Sequence, residues 1–296
     1  MENGPDNQLP NDEKWLSSDW RLVLHGAGTA EWNMAVDEAL FESYTSGKIA
    51  ATLRIYRWDR PSISLGRFQP VERTIDVAAV SEKGIPLVRR ITGGRGILHG
   101  DDLTFSIVCS HHAIGLTSHS PLSEVYFRFT ALMTDAFALA GCAARQGQEY
   151  DRVGRALARA EAHGDCFATQ SEADVVSERT GNKIMGGALH RRGDALLLQA
   201  SAPLYSVELR DTMYTLSSEV FRGSGIIPSS APITPIPFEA LRSALIEALS
   251  KRTYLIPKRS DLTANELAMT VALISTRYHS EAWKVRARLL QSSLTD

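Results

Sequence analysis

The sequence predicts an α+β fold in which mixed β-sheets are flanked by helices. Segments that alternate apolar and polar residues, such as 51–58 (ATLRIYRW), predict strands, and the helical spacing of apolar residues in 121–142 predicts an amphipathic helix. The two kinds of segment do not follow the strict strand–helix–strand order of a doubly wound sheet. No internal repeat or low-complexity tract is present, so ordinary globular structure is expected.

Length and composition are typical of a soluble globular protein with one large domain or two smaller ones. The chain has 296 residues, of which 44% are hydrophobic and 22% charged. Its net charge is −2, so no overall field favours nucleic acid. No signal peptide or membrane span is visible, and the three cysteines are too few for a disulfide framework or a zinc site. We therefore expect a cytoplasmic protein that contacts neither nucleic acid nor membrane.

Local signals place the elements of the N-terminal half. The 31–47 segment has apolar residues at helical spacing, with Asn33 as a candidate N-cap and Gly47 as its end. Asp37 and Glu38 fall in its first turns, where acids suit the helix dipole, and at least one of them is expected to be simply solvated. The other predicted elements are strands at 20–25 and 62–68, a short helix within 71–83, a strand meander in 165–206, and helices at 209–216 and 238–249.

The remaining segments comprise one predicted helix, one segment whose secondary structure stays undecided, and the predicted start of a further helix. The 121–142 helix is expected to bury an apolar side that Phe127 and Phe137 widen. Residues 151–164 (DRVGRALARAEAHG) fit either a helix or a mobile loop. For the arginine-rich stretch 145–159, a solvated face is favoured over a face for an acidic partner. In 263–266 (TANE), threonine and glutamate occupy the positions of a capping box, which predicts a helix start.

The stretch 89–106 (RRITGGRGILHGDDLTFS) concentrates the residues best suited to ligand binding. It contains three arginines, four glycines, a histidine and two aspartates between two apolar segments. Glycine lets the backbone approach a ligand closely, and its N–H can face an anion or a carbonyl oxygen. Taken alone, the stretch also fits a glycine-rich hairpin. Arg89 and Arg90 are neighbours on a predicted strand and point to opposite faces, and we expect Arg90 to enter a pocket.

Four segments, in order along the chain, carry a resemblance to a known family. They are NMAVDEAL, WDRPSISLGRFQ, RRITGGRGILHGDDLTFS, and CFATQSEADVV followed by GNKIMGGALHRR. From about Trp20 to Trp283 the chain resembles the biotin/lipoate protein ligase and octanoyltransferase superfamily. The resemblance implies that superfamily's catalytic-domain fold as a single domain over residues 19–284, with a disordered tail at 1–18 and another tail at 285–296.

The chain is most similar to the cysteine-dependent octanoyltransferase branch. In that branch a cysteine stands eight residues before the acidic residue of a strand, as Cys166 stands before Asp174. The resemblance implies that Cys166 carries an octanoyl or lipoyl group from acyl carrier protein to a lysine of a lipoyl domain. Such domains occur in the glycine cleavage H protein and in the acyltransferase subunit of 2-oxoacid dehydrogenases. Neither a metal nor a cofactor is expected.

The resemblance also implies the residues of the site. Cys166 and Lys183 form the catalytic pair, because a cysteine splits the transfer into two acyl exchanges and its thiolate needs a nearby cation. The Lys183 ammonium is further expected to face the acyl carbonyl oxygen, with backbone N–H groups around Gly93 and Gly94 holding the acyl head. The expected acyl-binding residues are Arg90, Thr92, Gly93, Gly94, Gly96, His99, Gly186, Gly187 and Ala188.

Several alternative interpretations stay open at the level of sequence. The chain fits an ATP- and magnesium-dependent lipoate–protein ligase in which Lys183 contacts an acyl-adenylate, and it fits a non-catalytic acyl-binding or carrier-binding protein. Cys166 also fits a small buried hydrophobe and His99 a core hydrogen-bonding group, while Cys109 and Cys142 are interpreted as packing residues. One departure leaves the acyl group open: the family's usual His-Gly is Ala200-Ser201 here.

Overall fold

A computed structural model describes residues 14–17, 19–147, 166–168, 174–204, 207–222 and 236–285. It contains a large sheet in the order β11-β1-β2-β6-β10-β9-β8-β7 and a small sheet in the order β4-β3-β5. The strands are β1 (Trp20–Gly28), β2 (Ala51–Trp58), β3 (Ser62–Leu65), β4 (Leu87–Arg89), β5 (Ile97–His99), β6 (Asp102–Ser110), β7 (Ala144–Gln146), β8 (Val175–Ser177), β9 (Lys183–Arg192), β10 (Ala195–Pro203) and β11 (Lys258–Arg259). The helices are α1 (Ala30–Thr45), α2 (Val71–Thr74), α3 (Val77–Glu82), α4 (Leu122–Leu139), and then Val207–Val220, Phe238–Thr253, Ala264–Leu273 and Glu281–Val285.

The predicted fold class is confirmed, since the large sheet is mixed and carries helices on its faces. Strands β1 and β2 pair in parallel, whereas β2, β6, β10 and β9 pair antiparallel. The 89–106 stretch is not a hairpin, because β3 lies between β4 and β5 in the small sheet and β6 belongs to the large sheet. The glycine-rich loop therefore connects β4 to β5 within the small sheet, and residues 100 and 101 lead from β5 to β6 of the large sheet.

The large sheet buries two faces of different character. Leu103, Phe105 and Ile107 of β6 join the main hydrophobic core, which α4 and the Phe238–Thr253 helix cover. Asp102, Thr104 and Ser106 alternate with them in sequence, point to the opposite face and are buried as well. That second face lies under α1 and the small sheet. Its polar groups must therefore find partners inside the protein.

Helix α1 begins one turn earlier than Asn33. Thr29 is the N-cap, and its hydroxyl accepts the N–H of Trp32, so the predicted cap at Asn33 is wrong. Asn33 is buried in the first turns, where its amide donates to the carbonyl oxygens of Gly28 and Arg57. An asparagine can serve as an N-cap or as a buried hydrogen-bonding residue, and the packing of α1 against β2 selects the buried role.

Both acids of α1 are buried and paired, so the expectation that at least one is merely solvated is wrong. Asp37 accepts hydrogen bonds from Arg54 Nη1 and from Ser106 Oγ, each at 2.6 Å. Glu38 accepts from Tyr278 Oη at 2.6 Å, and burial raises its pKa. Their partners come from β2, β6 and the C-terminal region, which local sequence cannot reveal.

The burial of three aromatic residues can be compared with the sequence-based predictions. Trp15 is buried against Trp20 and Phe129, with ring centroids 5.4 and 5.8 Å away, although the predicted domain begins at residue 19. Phe137 is buried as predicted, whereas Phe127 is 49% exposed and does not widen the apolar face of α4.

The predicted capping box at the start of the Ala264–Leu273 helix is confirmed. Of the arginine-rich segment 145–159, only the first three residues lie within the described part of the chain.

No helix in the described ranges is long and apolar enough to cross a membrane.

Replacing Asp37 with alanine should destabilise the fold by about 3–5 kcal/mol, because it leaves the fully buried Arg54 guanidinium without its counter-charge. Urea unfolding monitored by circular dichroism measures this change. Glu42→Ala is the matched control on the same helix: its pair with Arg192 is partly exposed and should contribute at most about 1 kcal/mol. Equal losses in the two variants would contradict the role assigned to Asp37.

Candidate functional site

A cavity lies where the two sheets and α1 meet, and its empty space of about 380 Å³ includes a part that is open to solvent. Its wall includes six residues that the sequence had singled out: Arg90, Gly94, His99, Cys166, Gly187 and Ala188. It also includes residues that the sequence analysis missed, among them Met34, Tyr56, Trp58, Ser64 and Gln199. A signal existed for Gln199, which interrupts the apolar run of β10, but the others resemble ordinary strand or helix residues.

Cys166 and Lys183 meet at this cavity. The Nζ of Lys183 lies 3.2 Å from Cys166 Sγ, 2.9 Å from the Cys166 carbonyl oxygen and 2.9 Å from Asp174 Oδ1. The Lys183 side chain is 4% exposed, so the ammonium is held almost entirely by protein groups. An ammonium has three N–H donors, and these three acceptors occupy all of them. In this arrangement no N–H is left to face an acyl carbonyl oxygen, which differs from the sequence-based expectation.

The charge of Lys183 is favoured by its neighbours. Burial alone lowers the pKa of Lys183, but Asp174 and the Cys166 thiol act in the opposite direction and leave that pKa above its ordinary value. Lys183 is therefore a cation at neutral pH despite its burial. A positive charge beside a sulfur stabilises the thiolate, the nucleophilic form of cysteine.

Lys183 reaches the sulfur because strand β9 is irregular at this point. In a regular strand, residues three apart point to opposite faces, yet Lys183 Cε lies 3.0 Å from the position that a Cβ on Gly186 would occupy. The partners of β8 shift here: Val176 pairs with Lys183 and Val175 with Met185. One extra residue in β9 forms a β-bulge, which turns Lys183 onto the face of Gly186.

Gly186 and Gly96, two of the predicted site residues, contact Cys166 without lining the cavity. A Cβ on Gly186 would lie 3.1 Å from Cys166 Sγ and 3.2 Å from Lys183 Nζ, so a glycine leaves the space in which the pair meets. The carbonyl oxygen of Gly96 accepts the N–H of Cys166 at 2.7 Å. The short 3-10 turn that carries Cys166 is thereby fixed to the glycine-rich loop.

Arg90 holds the glycine-rich loop in shape. Its guanidinium donates to the carbonyl oxygens of Ser64, Gly93 and Arg95 at 2.9, 2.8 and 2.6 Å. Burial lowers the pKa of Arg90 to about 10, which still leaves the side chain charged at neutral pH. Arg89 points the other way, as predicted, and donates to the Lys284 carbonyl oxygen at 2.8 Å.

Thr92 and Gly93 lie behind the wall rather than in it. The Thr92 hydroxyl donates to Gln199 Oε1 at 2.7 Å and accepts from Arg90 Nε, so it supports two wall residues. The Gly93 N–H donates to the Leu189 carbonyl oxygen at 3.4 Å. That amide was expected to hold the acyl head, and the structure directs it to β9 instead.

His99 belongs to a polar network that forms one side of the cavity. Its ring stacks on Trp58 with centroids 3.8 Å apart, and its Nδ1 lies 2.9 Å from Asp102 Oδ2. Burial lowers the pKa of His99, so the ring is neutral at pH 7. A carboxylate only accepts, so Nδ1 carries the proton and Nε2 accepts from the Ser64 hydroxyl at 2.8 Å. His99 therefore makes the core hydrogen bonds that the sequence allowed, and it also lines the cavity, where an acyl-binding residue is expected.

Ser201 stands where the family usually has glycine, and it completes the same network. Its hydroxyl donates to Asp102 Oδ2 at 2.5 Å, next to the Thr104 hydroxyl at 2.6 Å. Burial raises the pKa of Asp102, but His99 and these hydroxyl groups outweigh burial and lower it. The hydroxyl protons of Ser201 and Thr104 point to Asp102 and that of Ser64 to His99, so this side of the cavity faces a ligand mainly with carbon atoms.

The other cysteines have surroundings that differ from those of Cys166. Cys109 is fully buried in the main core, and burial raises the pKa of its thiol. Cys142 packs partly against that core, and burial raises its pKa too. Among the described residues, no group of three or more His, Cys, Asp or Glu side chains is placed to hold a metal ion.

Comparison with known proteins yields relatives in sequence and in structure. Residues 29–243 match the family described as lipoyl protein ligase A/B catalytic domain. The octanoyltransferase LipM of Geobacillus kaustophilus (strain HTA426) is 30% identical over 278 residues, which are 90% of this chain and 98% of the relative.

Two solved structures share the fold. A lipoate-protein ligase A bound with ATP aligns with a TM-score of 0.74 at 23% identity, over 90% of this chain and 98% of that one. A bi-partite lipoate protein ligase from Thermoplasma acidophilum aligns with a TM-score of 0.71 at 22% identity, over 92% and 98%.

Replacing Gly186 with alanine should slow the alkylation of Cys166 by iodoacetamide at pH 7 by about tenfold, the factor that about 1.4 kcal/mol of lost charge interaction produces. The added Cβ would push Lys183 from the sulfur. Peptide mass mapping of the modified cysteines gives the rate at Cys166 alone. Gly26→Ala is the control, since a Cβ there meets no atom within 4 Å. Unchanged alkylation in Gly186→Ala would refute the steric argument.

Proposed function

Because the chain belongs to the lipoyl protein ligase A/B catalytic-domain family, we propose that it is an acyltransferase of protein lipoylation. It would accept an octanoyl or lipoyl group from acyl carrier protein onto Cys166 and pass it to a lysine of a lipoyl domain. The acceptor would be the glycine cleavage H protein or the acyltransferase subunit of a 2-oxoacid dehydrogenase. The acyl donor is already an activated thioester, so the proposed reaction uses neither ATP nor a metal.

One observation carries this proposal: a partly exposed cysteine lies 3.2 Å from a buried, charged lysine at the wall of a cavity. The pair supplies a nucleophile together with a group that gives and takes protons. The relative named octanoyltransferase LipM supports the transferase over the ligase, because it matches 90% of this chain at 30% identity.

The first half of the proposed reaction forms an acyl-enzyme. The Cys166 thiolate attacks the donor's thioester carbonyl, a new C–S bond forms, and the C–S bond to the carrier breaks. The carrier's thiolate takes a proton from the Lys183 ammonium and leaves as a thiol. Lys183 is then a neutral amine beside an uncharged thioester. In the second half, a lysine of the lipoyl domain that has lost a proton to solvent attacks that thioester. A C–N bond forms, the C–S bond to Cys166 breaks, and the sulfur takes a proton from the nitrogen, which leaves an amide and the Cys166 thiol.

The cavity supplies the affinity for the acyl tail. Met34, Ile97 and the stacked rings of Trp58 and His99 present carbon to a ligand. Each methylene buried there contributes about 0.8 kcal/mol. The polar groups of this wall are bonded to each other, so an alkyl chain leaves none of them without a partner.

Incubation with octanoyl-acyl carrier protein should add one octanoyl mass to the protein, and the adduct should be absent in Cys166→Ala and present in Cys142→Ala. Transfer to a lipoyl domain should fall at least about 1000-fold in Lys183→Ala, because the proton-transferring group is gone. Intact-mass spectrometry follows both steps, and circular dichroism checks folding. ATP-dependent modification by free lipoate that survives Cys166→Ala would indicate a ligase instead. No adduct and no transfer would indicate a binding protein.

A further inference from the structure

We propose that Arg67 binds the phosphate group of the arm on which acyl carrier protein presents its acyl group. The inference rests on the proposed function and deepens it, because it assigns a binding residue to the donor's arm in addition to the cavity for the acyl chain. The arm is phosphopantetheine: its terminal sulfur carries the acyl group, and a phosphodiester joins its other end to the carrier. The donor therefore brings a negative charge at a limited distance from the thioester that Cys166 attacks.

The Arg67 side chain is a cation without an anionic partner. Within the part of the chain that the structure describes, its guanidinium forms no ion pair or hydrogen bond, and its Nε is buried. The guanidinium lies over the ring of Phe68, 5.6 Å from the ring centroid, and Phe68 is 64% exposed. Packing on a ring face leaves the in-plane N–H groups available, and their fork matches two oxygens of a phosphate. Arg67 is therefore suited to an anion that comes from outside the protein.

The neighbouring side chains do not neutralise Arg67. Burial, together with the charges of Arg67 and Arg192, lowers the pKa of His190, so that ring is neutral at pH 7. Glu42 is the carboxylate that acts on the same ring, and its two oxygens accept hydrogen bonds from Arg192 at 2.9 and 2.7 Å. The positive charge of Arg67 remains after this pairing, and it attracts an anion from solution.

The backbone of Arg67 is fixed to the glycine-rich loop. Its N–H donates to the Thr92 carbonyl oxygen at 2.9 Å, and its own carbonyl oxygen accepts from Arg89 Nη1 at 3.2 Å. A Cβ on Gly66 would collide with the Gly94 carbonyl oxygen, so a glycine permits the close approach of the two segments. Since Gly94 lines the cavity, Arg67 is held at a set position beside it.

The glycine-rich loop and β9 run side by side between Cys166 and Arg67. At one end of the loop, the Gly96 carbonyl oxygen accepts the N–H of Cys166 at 2.7 Å. At the other end, Thr92 accepts the N–H of Arg67, and the residue after Thr92 donates its own N–H to the Leu189 carbonyl oxygen at 3.4 Å. Cys166 and Arg67 are therefore anchored four loop residues apart.

Strand β9 converts this separation into a length. Gly186 lies against the Cys166 sulfur, and His190 lies where the charge of Arg67 is felt. An extended strand rises about 3.3 Å per residue, so residues 186–190 span about 13 Å. The carrier arm has thirteen bonds from sulfur to phosphorus, the length of about four extended residues, or about 14–16 Å at full extension. Its phosphate therefore reaches Arg67 while its thioester lies at Cys166.

The same distance separates donor binding from chemistry. The Debye length at physiological ionic strength is about 8 Å, so a charge about 13 Å from the sulfur has little effect on the Cys166 thiolate. Loss of the Arg67 charge should therefore weaken donors that carry a phosphate and spare a donor that lacks one.

The test compares two octanoyl donors that differ only in their phosphate, octanoyl-pantetheine and octanoyl-phosphopantetheine. Intact-mass spectrometry gives the second-order rate constant for acylation of Cys166 by each. In the unsubstituted protein the phosphate should raise this constant about 10- to 100-fold, the factor that a hydrogen bond to a charged group produces. In Arg67→Gln the two donors should react within about threefold of each other, at the rate that octanoyl-pantetheine shows in the unsubstituted protein.

The protein-bound donor distinguishes the carrier arm from a free phosphate as the ligand. With octanoyl-acyl carrier protein, Arg67→Gln should raise KM at least about tenfold and leave kcat within about threefold. Arg67→Lys keeps the charge and should retain a preference for the phosphorylated donor. Arg73→Gln, which removes an exposed arginine of α2, is the matched control for loss of a positive charge and should behave like the unsubstituted protein.

Three results would overturn the inference. They are a phosphate preference that is absent from the unsubstituted protein or persists in Arg67→Gln, an equal loss with both small donors in that variant, and an unchanged KM for octanoyl-acyl carrier protein. The second of these would make Arg67 merely structural, and the third would reduce the site to one for free phosphate compounds. Failure of the unsubstituted protein to acquire an octanoyl group from any of the three donors would instead refute the proposed function.

Discussion

The second face of the large sheet is buried although it is polar, and the architecture of the site depends on this constraint. Strand β6 sends Asp102, Thr104 and Ser106 to that face, and β2 adds Arg54. A buried polar group without a partner costs about 1–3 kcal/mol and a buried charge more, so α1 and the small sheet must bring complementary groups. Asp37 of α1 and His99 of the small sheet are such groups, and His99 also lines the cavity.

The same constraint governs the Cys166–Lys183 pair. A charged ammonium that is almost fully buried needs acceptors for all three N–H groups, and it obtains them from Asp174 and from two atoms of Cys166. The need is met only because a β-bulge turns Lys183 toward Gly186, where no side chain intervenes. The buried charge of Lys183 and the nucleophilic sulfur of Cys166 therefore lie together at one point of the sheet. The same packing that buries Lys183 also places its Nζ next to the Cys166 sulfur.

The residues expected to bind the acyl group divide into some that support the cavity wall and some that line it. Arg90 donates hydrogen bonds to the loop's own carbonyl oxygens at Gly93 and Arg95, and the Gly96 carbonyl oxygen accepts the N–H of Cys166. The resemblance to acyltransferases grouped these residues as acyl-binding, whereas the contacts assign several of them to shaping the wall. Gly94, Gly187 and Ala188 remain in the wall itself.

The sequence by itself determined the mixed α+β class, the opposite directions of Arg89 and Arg90, the capping box at Thr263, and the segments that meet at the site. These features depend on local alternation, spacing and motif order, which a linear chain displays. Tertiary structure alone decided that Asp37 and Glu38 are buried, that Trp15 joins the core, and that Gly93 bonds to β9. It also decided the position of Lys183, because a bulge depends on how two strands pair. A carboxylate or a glycine has the same local signature in water and in a core, and only its distant partners distinguish the two.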